Sequence, residues 1–333
     1  MKNWPEKLGY GFLIIVLAIY PVYTNLVYGY AEYQLIRHLK FINHDSYFFN
    51  PWQYRILAPY LIEGIAIPLK QIFKGTISEH SLYFSIFKIL RFCQHLVIFG
   101  LAAKFYRHFT SSRLLIFLTL PVMAAAMGAA TLKSDFSFNN YFDIIFYLAA
   151  LTLIFSESDI RWFLPLTFLA ALNRETSLLL PFLLFLNYKE FFAGAHRKKY
   201  WTVLLSCLVI FALVFVGVRF YFGYRPPTYI GMATGWPMLK FNLTDPLTIL
   251  ELLATLSILP IFSLLHIGKA EMRLQLLFWL LVPAWFAIHF WLVWARETRI
   301  FLVPLIVVFL PVCLDLVQRS LQKTGPESSD AKN

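Results

Sequence analysis

The sequence predicts an all-α, polytopic membrane protein with about nine or ten transmembrane helices, including one broken or hairpin pair. Three observations support this fold class. First, 59% of the residues are hydrophobic and the mean hydropathy is +0.64. Second, only 14% of the residues are charged, against about 25% in soluble domains. Third, apolar runs close to the roughly 20 residues that cross a bilayer recur along the chain. We expect one transmembrane domain over residues 1–318 and a disordered, polar tail over 319–333.

The first apolar run, residues 8–28, has no small-residue cleavage site after it, which predicts a retained signal anchor. Residues 29–80 follow as a polar first outer loop. Within it, the apolar segment 56–69 is interrupted by two prolines and Glu63. It is too short and too polar to span, so we expect helices that lie at the membrane interface. Further spans are predicted at residues 81–103, 114–130, 141–156, 201–222, 247–267, 274–294 and 300–317.

The basic residues predict the topology. The most basic loop, 189–199, is expected in the cytoplasm together with both termini. The topology counted from the N-terminus and that counted from the C-terminus agree only under one condition. The remaining apolar stretch, 162–186, must enter and leave the membrane on the cytoplasmic side. It would then be a hairpin of two short helices joined at residues 173–176. The alternative is one 25-residue span with the termini on opposite sides of the membrane.

The first outer loop concentrates ionisable side chains in an otherwise apolar chain. Glu32 follows the first span directly, and Asp45 comes before an aromatic and proline corner. A carboxylate held at the membrane boundary can act as a general base toward a hydroxyl. Arg37 and Arg55 could grip a phosphate through paired hydrogen bonds. The alternative interpretation is an ordinary charged loop whose cations reach toward the lipid headgroups.

A tripeptide occurs twice between apolar segments: Arg174-Glu175-Thr176 and Arg296-Glu297-Thr298, the second followed by Arg299. Adjacent Arg and Glu residues point to different sides of a helix, so each needs another partner. Ionisable residues at membrane depth are functional candidates. The predicted topology places both copies on the outer side. A chance repeat with structural ion pairs is the competing interpretation.

Asp135 and Asp143 belong to a short outer loop and the start of the next span. They are candidates to orient sugar hydroxyls or to bind a divalent cation, although their separation of eight positions is not a recognised metal-ligand spacing. No metal site is predicted, and the cofactor is left open. The chain has no Walker loop and no Rossmann glycine motif, so no nucleotide partner is expected. The net charge of +11 fits cytoplasmic loops and lipid headgroups rather than nucleic acid.

The first outer loop resembles that of the C-type glycosyltransferases. The shared pattern is a first span, an acidic residue, the L-I-x-x-L of AEYQLIRHL, a second acidic residue and an aromatic-proline corner. The resemblance implies an integral enzyme, in the bacterial inner membrane, that takes a sugar from a polyprenyl-phosphate donor at the outer face. It places Glu32 at the position of the catalytic acidic residue and Asp45 at that of a second one.

On this hypothesis, Arg55, Arg174, Arg296 and Arg299 neutralise the charge on the leaving lipid phosphate. The partners would be a lipid-linked sugar donor and membrane lipids. A second hypothesis is a transporter or flippase for a lipid-linked or anionic substrate, which the broken helices and the duplicated motif favour. A structural or assembly subunit without chemistry is the third possibility.

Overall fold

In the computed structural model, the described residues are 4–45, 51–132, 134–223 and 233–324, and they form a helical protein without a named β-strand. The α-helices in chain order are α1 (Trp4–Tyr28), α2 (Ala31–Ile42), α3 (Leu57–Ile72), α4 (Glu79–Tyr106), α5 (Arg113–Ala129), α6 (Asn139–Phe155), α7 (Phe163–Asn173), α8 (Tyr188–Phe192), α9 (Arg197–Phe222), α10 (Trp236–Thr244), α11 (Pro246–Leu256), α12 (Leu259–His266), α13 (Met272–Leu292), α14 (Leu302–Pro304) and α15 (Leu310–Thr324).

The predicted polytopic membrane fold is confirmed. Within the described residues, five stretches are long and apolar enough to span a bilayer: Gly9–Tyr28, Glu79–Tyr106, Arg197–Phe222, Met272–Leu292 and Thr298–Gln322. The bent pair α11 and α12 makes six if it counts as one span, and α5, α6 and α7 are shorter apolar helices. Helices α2 and α3 lie within residues 29–80, the segment predicted to be the first outer loop with interfacial helices.

The final span forms the centre of the core. It begins as a 3-10 turn (Thr298–Phe301), continues through α14 and a π-helical turn (Leu305–Phe309), and ends as α15. The side chains of this π turn are at most 1% exposed. A π turn disturbs the regular backbone ladder, and the Tyr106 hydroxyl donates to the Ile306 carbonyl at 3.0 Å. A side chain of α4 therefore provides a hydrogen-bond donor for a backbone carbonyl within the most buried span.

The apolar stretch 162–186 folds back on itself as a hairpin, the form that one of the two predicted topologies requires. Helix α7 ends at Asn173, and Arg174 is extended, with φ −165° and ψ 152°. Just before the stretch in sequence, Asp159 pairs with Lys199 at 3.0 Å. Just after it, Asn187 donates to Tyr200 at 3.1 Å. Both contacts are made to the start of α9, so the stretch returns to the level at which it began.

The tip of this hairpin reaches the opposite end of α9. Glu175 pairs with Arg219 in the last turn of that helix, at 3.2 Å. About twenty residues of helix separate Lys199 from Arg219, which corresponds to about 30 Å. The Arg174-Glu175-Thr176 motif therefore lies at one end of the molecule, far from the basic loop 189–199.

The described ends of the chain, in α1 and α15, lie at the end of the molecule that carries this basic loop. His108, in the connection between α4 and α5, lies 3.5 Å from Ser156, close in sequence to the Asp159 that pairs with Lys199. Tyr10 of α1 lines a surface cleft with Arg107 and Arg113, around the connection between α4 and α5. Thr110 in the same connection donates to Gln318 of α15 at 2.7 Å. We call this the basic end, and we call the end that contains the hairpin tip the site end.

Two features differ from the sequence predictions. The span expected at 247–267 is two helices bent by 72°, because Ser257 has a positive φ and Pro260 starts the second helix. The terminal helix continues to Thr324, into the segment expected to be a disordered tail, and residues 325–333 lie outside the described part of the chain.

Candidate functional site

Two adjoining cavities open at the site end. The inner cavity has a volume of about 280 Å³ and the outer one about 940 Å³. Glu297 and Arg299 line both cavities and so mark the place where they meet. The other charged or titratable residues of the inner cavity are Arg55, Arg174, Glu175, Arg219 and His289. Those of the outer cavity are Glu32, Arg37, Asp135, Glu251 and Arg296, together with Tyr30 and Tyr33. Its apolar lining includes Leu26, Phe84 and Leu132.

The loop between α5 and α6 reaches this site because α1 holds it there. The Asn25 amide donates to the carbonyls of Thr131 and Ser134, at 3.2 and 3.0 Å. The backbone N–H of Tyr30 also donates to the Ser134 carbonyl, at 2.8 Å. These bonds bring the start of the first outer loop against the loop that carries Asp135.

Asp135 lies between two arginines. Its carboxylate pairs with Arg37 of α2 and with Arg299 of the final span. Arg299 also donates to the Asp135 carbonyl at 3.0 Å and to Glu297 at 3.0 Å. Burial alone would raise the pKa of Asp135, but the guanidinium groups of Arg299 and Arg37 outweigh it and hold that pKa well below its usual range. Asp135 is therefore an ionised anchor for two arginines and a poor proton acceptor.

Trp52 links Arg37 to the inner cavity. It starts the 3-10 turn Trp52–Tyr54 after the first outer loop's proline corner. The Arg37 guanidinium lies 3.6 Å from its ring centre and that of Arg55 lies 4.8 Å away. Arg55 in turn pairs with Glu175 at 3.5 Å. One indole ring thus positions two guanidinium groups, which an aromatic face attracts.

A buried carboxylate organises the hairpin tip. Asp143 of α6 accepts hydrogen bonds from Asn173 at 2.7 Å, and from Arg174 and Thr176 at 3.3 Å each. The Tyr147 hydroxyl donates to the Thr176 carbonyl at 2.9 Å. The extended backbone at the tip therefore has fixed partners, as non-helical backbone at membrane depth requires. Asp143 therefore positions Arg174, and its carboxylate oxygens are already used in these hydrogen bonds.

Glu175 joins the tip to two cationic side chains. Its carboxylate oxygens pair with Arg55 and with Arg219. The Arg219 guanidinium lies over the rings of Phe215 and Tyr54, at 3.4 and 4.4 Å from their centres. Sequence reasoning missed Arg219, although a single arginine in an otherwise apolar span is a signal that could have identified it.

The second tripeptide also lies at the site end. Arg296 lines the outer cavity and pairs with Asp245, at 3.5 Å, and more loosely with Glu251, at 4.0 Å. Thr298 accepts a hydrogen bond from Thr255 of α11 at 2.7 Å. Of the four arginines predicted to neutralise a leaving phosphate, three line the inner cavity and Arg296 lines the adjoining one.

His289 is a second residue that sequence reasoning missed. It is 1% exposed on α13 and lines the inner cavity. Its Nδ1 lies 2.7 Å from the Trp285 carbonyl. Its Nε2 has no hydrogen-bond partner among the described residues. A lone histidine in an apolar span was the available signal.

The two carboxylates predicted to be catalytic occupy different positions. Glu32 is in the first turn of α2, on the wall of the outer cavity, with a side chain 68% exposed and paired with His80 at 3.0 Å. Asp45 follows the C-terminus of α2, at the edge of the described residues, and lines neither cavity. Only Glu32 is thus placed with the arginines.

A cation site between Asp135 and Asp143 is not formed, because each carboxylate is held by arginines in its own network. The described residues contain no group of three His, Cys, Asp or Glu side chains able to hold a metal ion. The inner cavity is lined by four arginines, Arg55, Arg174, Arg219 and Arg299, and by two carboxylates, Glu175 and Glu297. The site therefore has an excess of positive charge suited to an anion.

Comparisons with protein-family models, curated proteins and solved structures found no match to this chain. The functional argument consequently rests on the geometry of the two cavities.

Proposed function

We propose that the protein is a membrane glycosyltransferase that moves a sugar from a polyprenyl-phosphate donor to an acceptor hydroxyl at the outer face of the membrane. The observation that carries the proposal is the convergence of Arg55, Arg174, Arg219 and Arg299 on one cavity. Guanidinium groups bind phosphate oxygens well. Placed in advance around a leaving phosphate, they stabilise the charge that develops there.

The two adjoining cavities suit a reaction with two substrates. The donor's phosphate would bind the arginines of the inner cavity, and the acceptor would enter through the outer cavity. Apolar side chains such as Leu26, Phe84 and Leu132 line the outer cavity and offer contact for a lipid chain. Since the basic end is expected in the cytoplasm, the site end would face the outside.

In the proposed reaction, a carboxylate takes the proton of the acceptor hydroxyl, whose oxygen attacks the anomeric carbon of the donor sugar. The bond from that carbon to the phosphate oxygen breaks, and polyprenyl phosphate leaves. Glu32 and Glu297 are the candidates for the base because both line the outer cavity and both are partly exposed. Asp135 is a poor choice, since two arginines occupy it.

The direct test is to incubate the purified protein with a set of polyprenyl-phospho-sugars and to measure donor consumption. We expect consumption of at least one donor, and a loss of about 100-fold or more on replacing the base. Glu32→Gln and Glu297→Gln distinguish the two candidates, and Glu79→Gln is the control because that exposed residue pairs with Lys70 outside both cavities. Full activity in both cavity variants would refute the base assignment, and failure to consume any donor would refute the proposal.

A transporter of a lipid-linked or anionic substrate is the second candidate, and the 72° bend between α11 and α12 favours it. Against it, both Arg-Glu-Thr copies lie at the site end, whereas inverted repeats would place them at opposite ends. Substrate uptake by proteoliposomes, without donor consumption, would select the transporter.

A further inference from the structure

The wall of the inner cavity contains a buried hydrogen-bond acceptor that the bound phosphate cannot satisfy. A carbonyl oxygen can only accept, so His289 Nδ1 must donate its proton to the Trp285 carbonyl, 2.7 Å away. In the neutral imidazole, the other ring nitrogen, Nε2, is then an acceptor. It has no partner among the described residues, although the side chain is 1% exposed.

Buried polar atoms without a partner are rare and cost free energy. His289 lines the inner cavity, so a group bound there could supply the hydrogen-bond donor that Nε2 lacks. The oxygens of an ionised phosphate are only hydrogen-bond acceptors. A phosphate therefore pairs with the arginines and leaves Nε2 without a hydrogen-bond donor. A second group on the ligand must supply the donor.

We infer that His289 accepts a hydrogen bond from a sugar hydroxyl, and that the ligand of the inner cavity is therefore a phosphorylated sugar head rather than a bare phosphate. This assignment rests on the proposed function, because it places the donor's sugar beside the arginines. His289 is a specificity-determining residue in this scheme and takes no part in breaking or forming a bond.

The surroundings of the cavity agree with this ligand. Its volume of about 280 Å³ is just below the range of about 300–1,000 Å³ typical of pockets for drug-sized ligands, so a compact head group fits better than a whole lipid. The apolar residues Ile288, Leu292 and Val293 line the same cavity and can pack against a ring. Donors from arginine and acceptors from His289, Glu175 and Glu297 together match a molecule that carries both a phosphate and hydroxyls.

The experiment compares two soluble probes of similar shape, by calorimetry on the purified full chain in nanodiscs. The first probe is a set of hexose and pentose 1-phosphates, and the second is cyclohexyl phosphate, which has a ring and a phosphate but no hydroxyl. We expect the wild type to bind at least one sugar phosphate about tenfold more tightly than cyclohexyl phosphate, the value of one buried hydrogen bond.

Three variants test whether His289 causes this preference for sugar phosphates. His289→Phe removes the acceptor, keeps a ring beside Trp285 and Phe301, and should bind both probes equally. His289→Gln restores an acceptor and should recover part of the preference. His95→Phe is the matched control: His95 is also fully buried, its Nδ1 also faces a carbonyl, at 3.1 Å, and its Nε2 also lacks a described partner, but it lines neither cavity.

Retention of the full preference by His289→Phe would overturn the inference, and so would a wild type without any preference. An equal loss in His95→Phe would also overturn it, because the effect would then follow from core packing. The proposed function fails separately: a His289-dependent preference without consumption of any polyprenyl-phospho-sugar would keep the binding assignment and remove the transferase.

Discussion

At the scale of single residues, the site depends on carboxylates that hold arginines rather than on carboxylates that are free to react. Asp143 contacts Asn173, Arg174 and Thr176 at the hairpin tip. Asp135 contacts Arg37 and Arg299 across two other segments. Each carboxylate joins parts of the chain that are distant in sequence, so its loss should affect folding as well as ligand binding.

Replacing Asp143 by Asn should destabilise the protein by about 3–5 kcal/mol, because Arg174 would remain buried without its carboxylate. Chemical denaturation in detergent measures this change. Asp159→Asn is the control, since Asp159 pairs with Arg161 and Lys199 at an exposed position and surface ion pairs contribute little. Wild-type stability of Asp143→Asn would show that the buried pair does not hold the tip.

Asp135 predicts a specific dependence of stability on pH. Its pKa is lowered in the folded protein, where the two arginines outweigh the effect of burial. A lowered pKa gives stability that is fully present above the unfolded value of about 4 and is lost as the pH falls toward the folded value. Wild type should therefore lose its stability advantage over Asp135→Asn progressively below about pH 4. An unchanged difference between the two proteins from pH 7 to pH 3 would contradict this account.

The residues that sequence reasoning identified differ physically from those it missed. Arg174, Glu175, Arg296, Glu297 and Arg299 interrupt or flank apolar runs, so they stand out in a linear pattern. Arg219 and His289 lie within the long apolar stretches of α9 and α13. Whether such a residue faces lipid, core or cavity depends on which helix packs beside it, and that neighbour is set by tertiary structure.

At the scale of elements, most helix positions could be predicted because a bilayer requires a minimum apolar length. The break at 173–176 was also predictable, since four polar residues at membrane depth need protein partners. The bend between α11 and α12 was not. The run 247–267 has no cluster of polar residues like that at 173–176. Its Pro260 alone does not mark a break, since Pro121 and Pro283 lie inside helices, and the bend depends on the backbone of Ser257, which has φ 53° and ψ −149°.

This backbone conformation at Ser257 is one that glycine adopts far more readily than other residues. Ser257→Gly should therefore stabilise the protein by about 1 kcal/mol. Ser206→Gly, in the interior of α9, should instead destabilise it by about 0.5–1 kcal/mol, because glycine is unfavourable within a helix. Denaturation of both variants tests the sign, and destabilisation by Ser257→Gly would mean that the bend is maintained by the serine side chain.

At the scale of the whole molecule, the basic loop and the two cavities lie at opposite ends of the bundle. The basic end contains both termini of the described chain and the loop 189–199. The site end contains the two cavities, with their arginines paired to carboxylates. The hairpin makes this separation possible: it lets the chain present Arg174 and Glu175 at the site end and still return to the basic end before α9 begins.

The hairpin and the orientation can be tested together by labelling with a membrane-impermeant maleimide. In a background with Cys93, Cys207 and Cys313 replaced, single cysteines are introduced at Lys74, Ser156 and Lys189, which are all exposed. The cysteine at Lys74 should react in intact cells. Those at Ser156 and Lys189, before and after the hairpin, should react only after permeabilisation, because the basic end is expected in the cytoplasm.

The pattern of labelling separates the two claims. If positions 156 and 189 react from opposite sides, the stretch between them is a single span and the hairpin is wrong. If all three sites reverse together, the hairpin stands but the cavities face the cytoplasm. The second result would remove the outer-face donor from the proposed reaction, because the arginines of the inner cavity would then meet substrates from the cytoplasmic side.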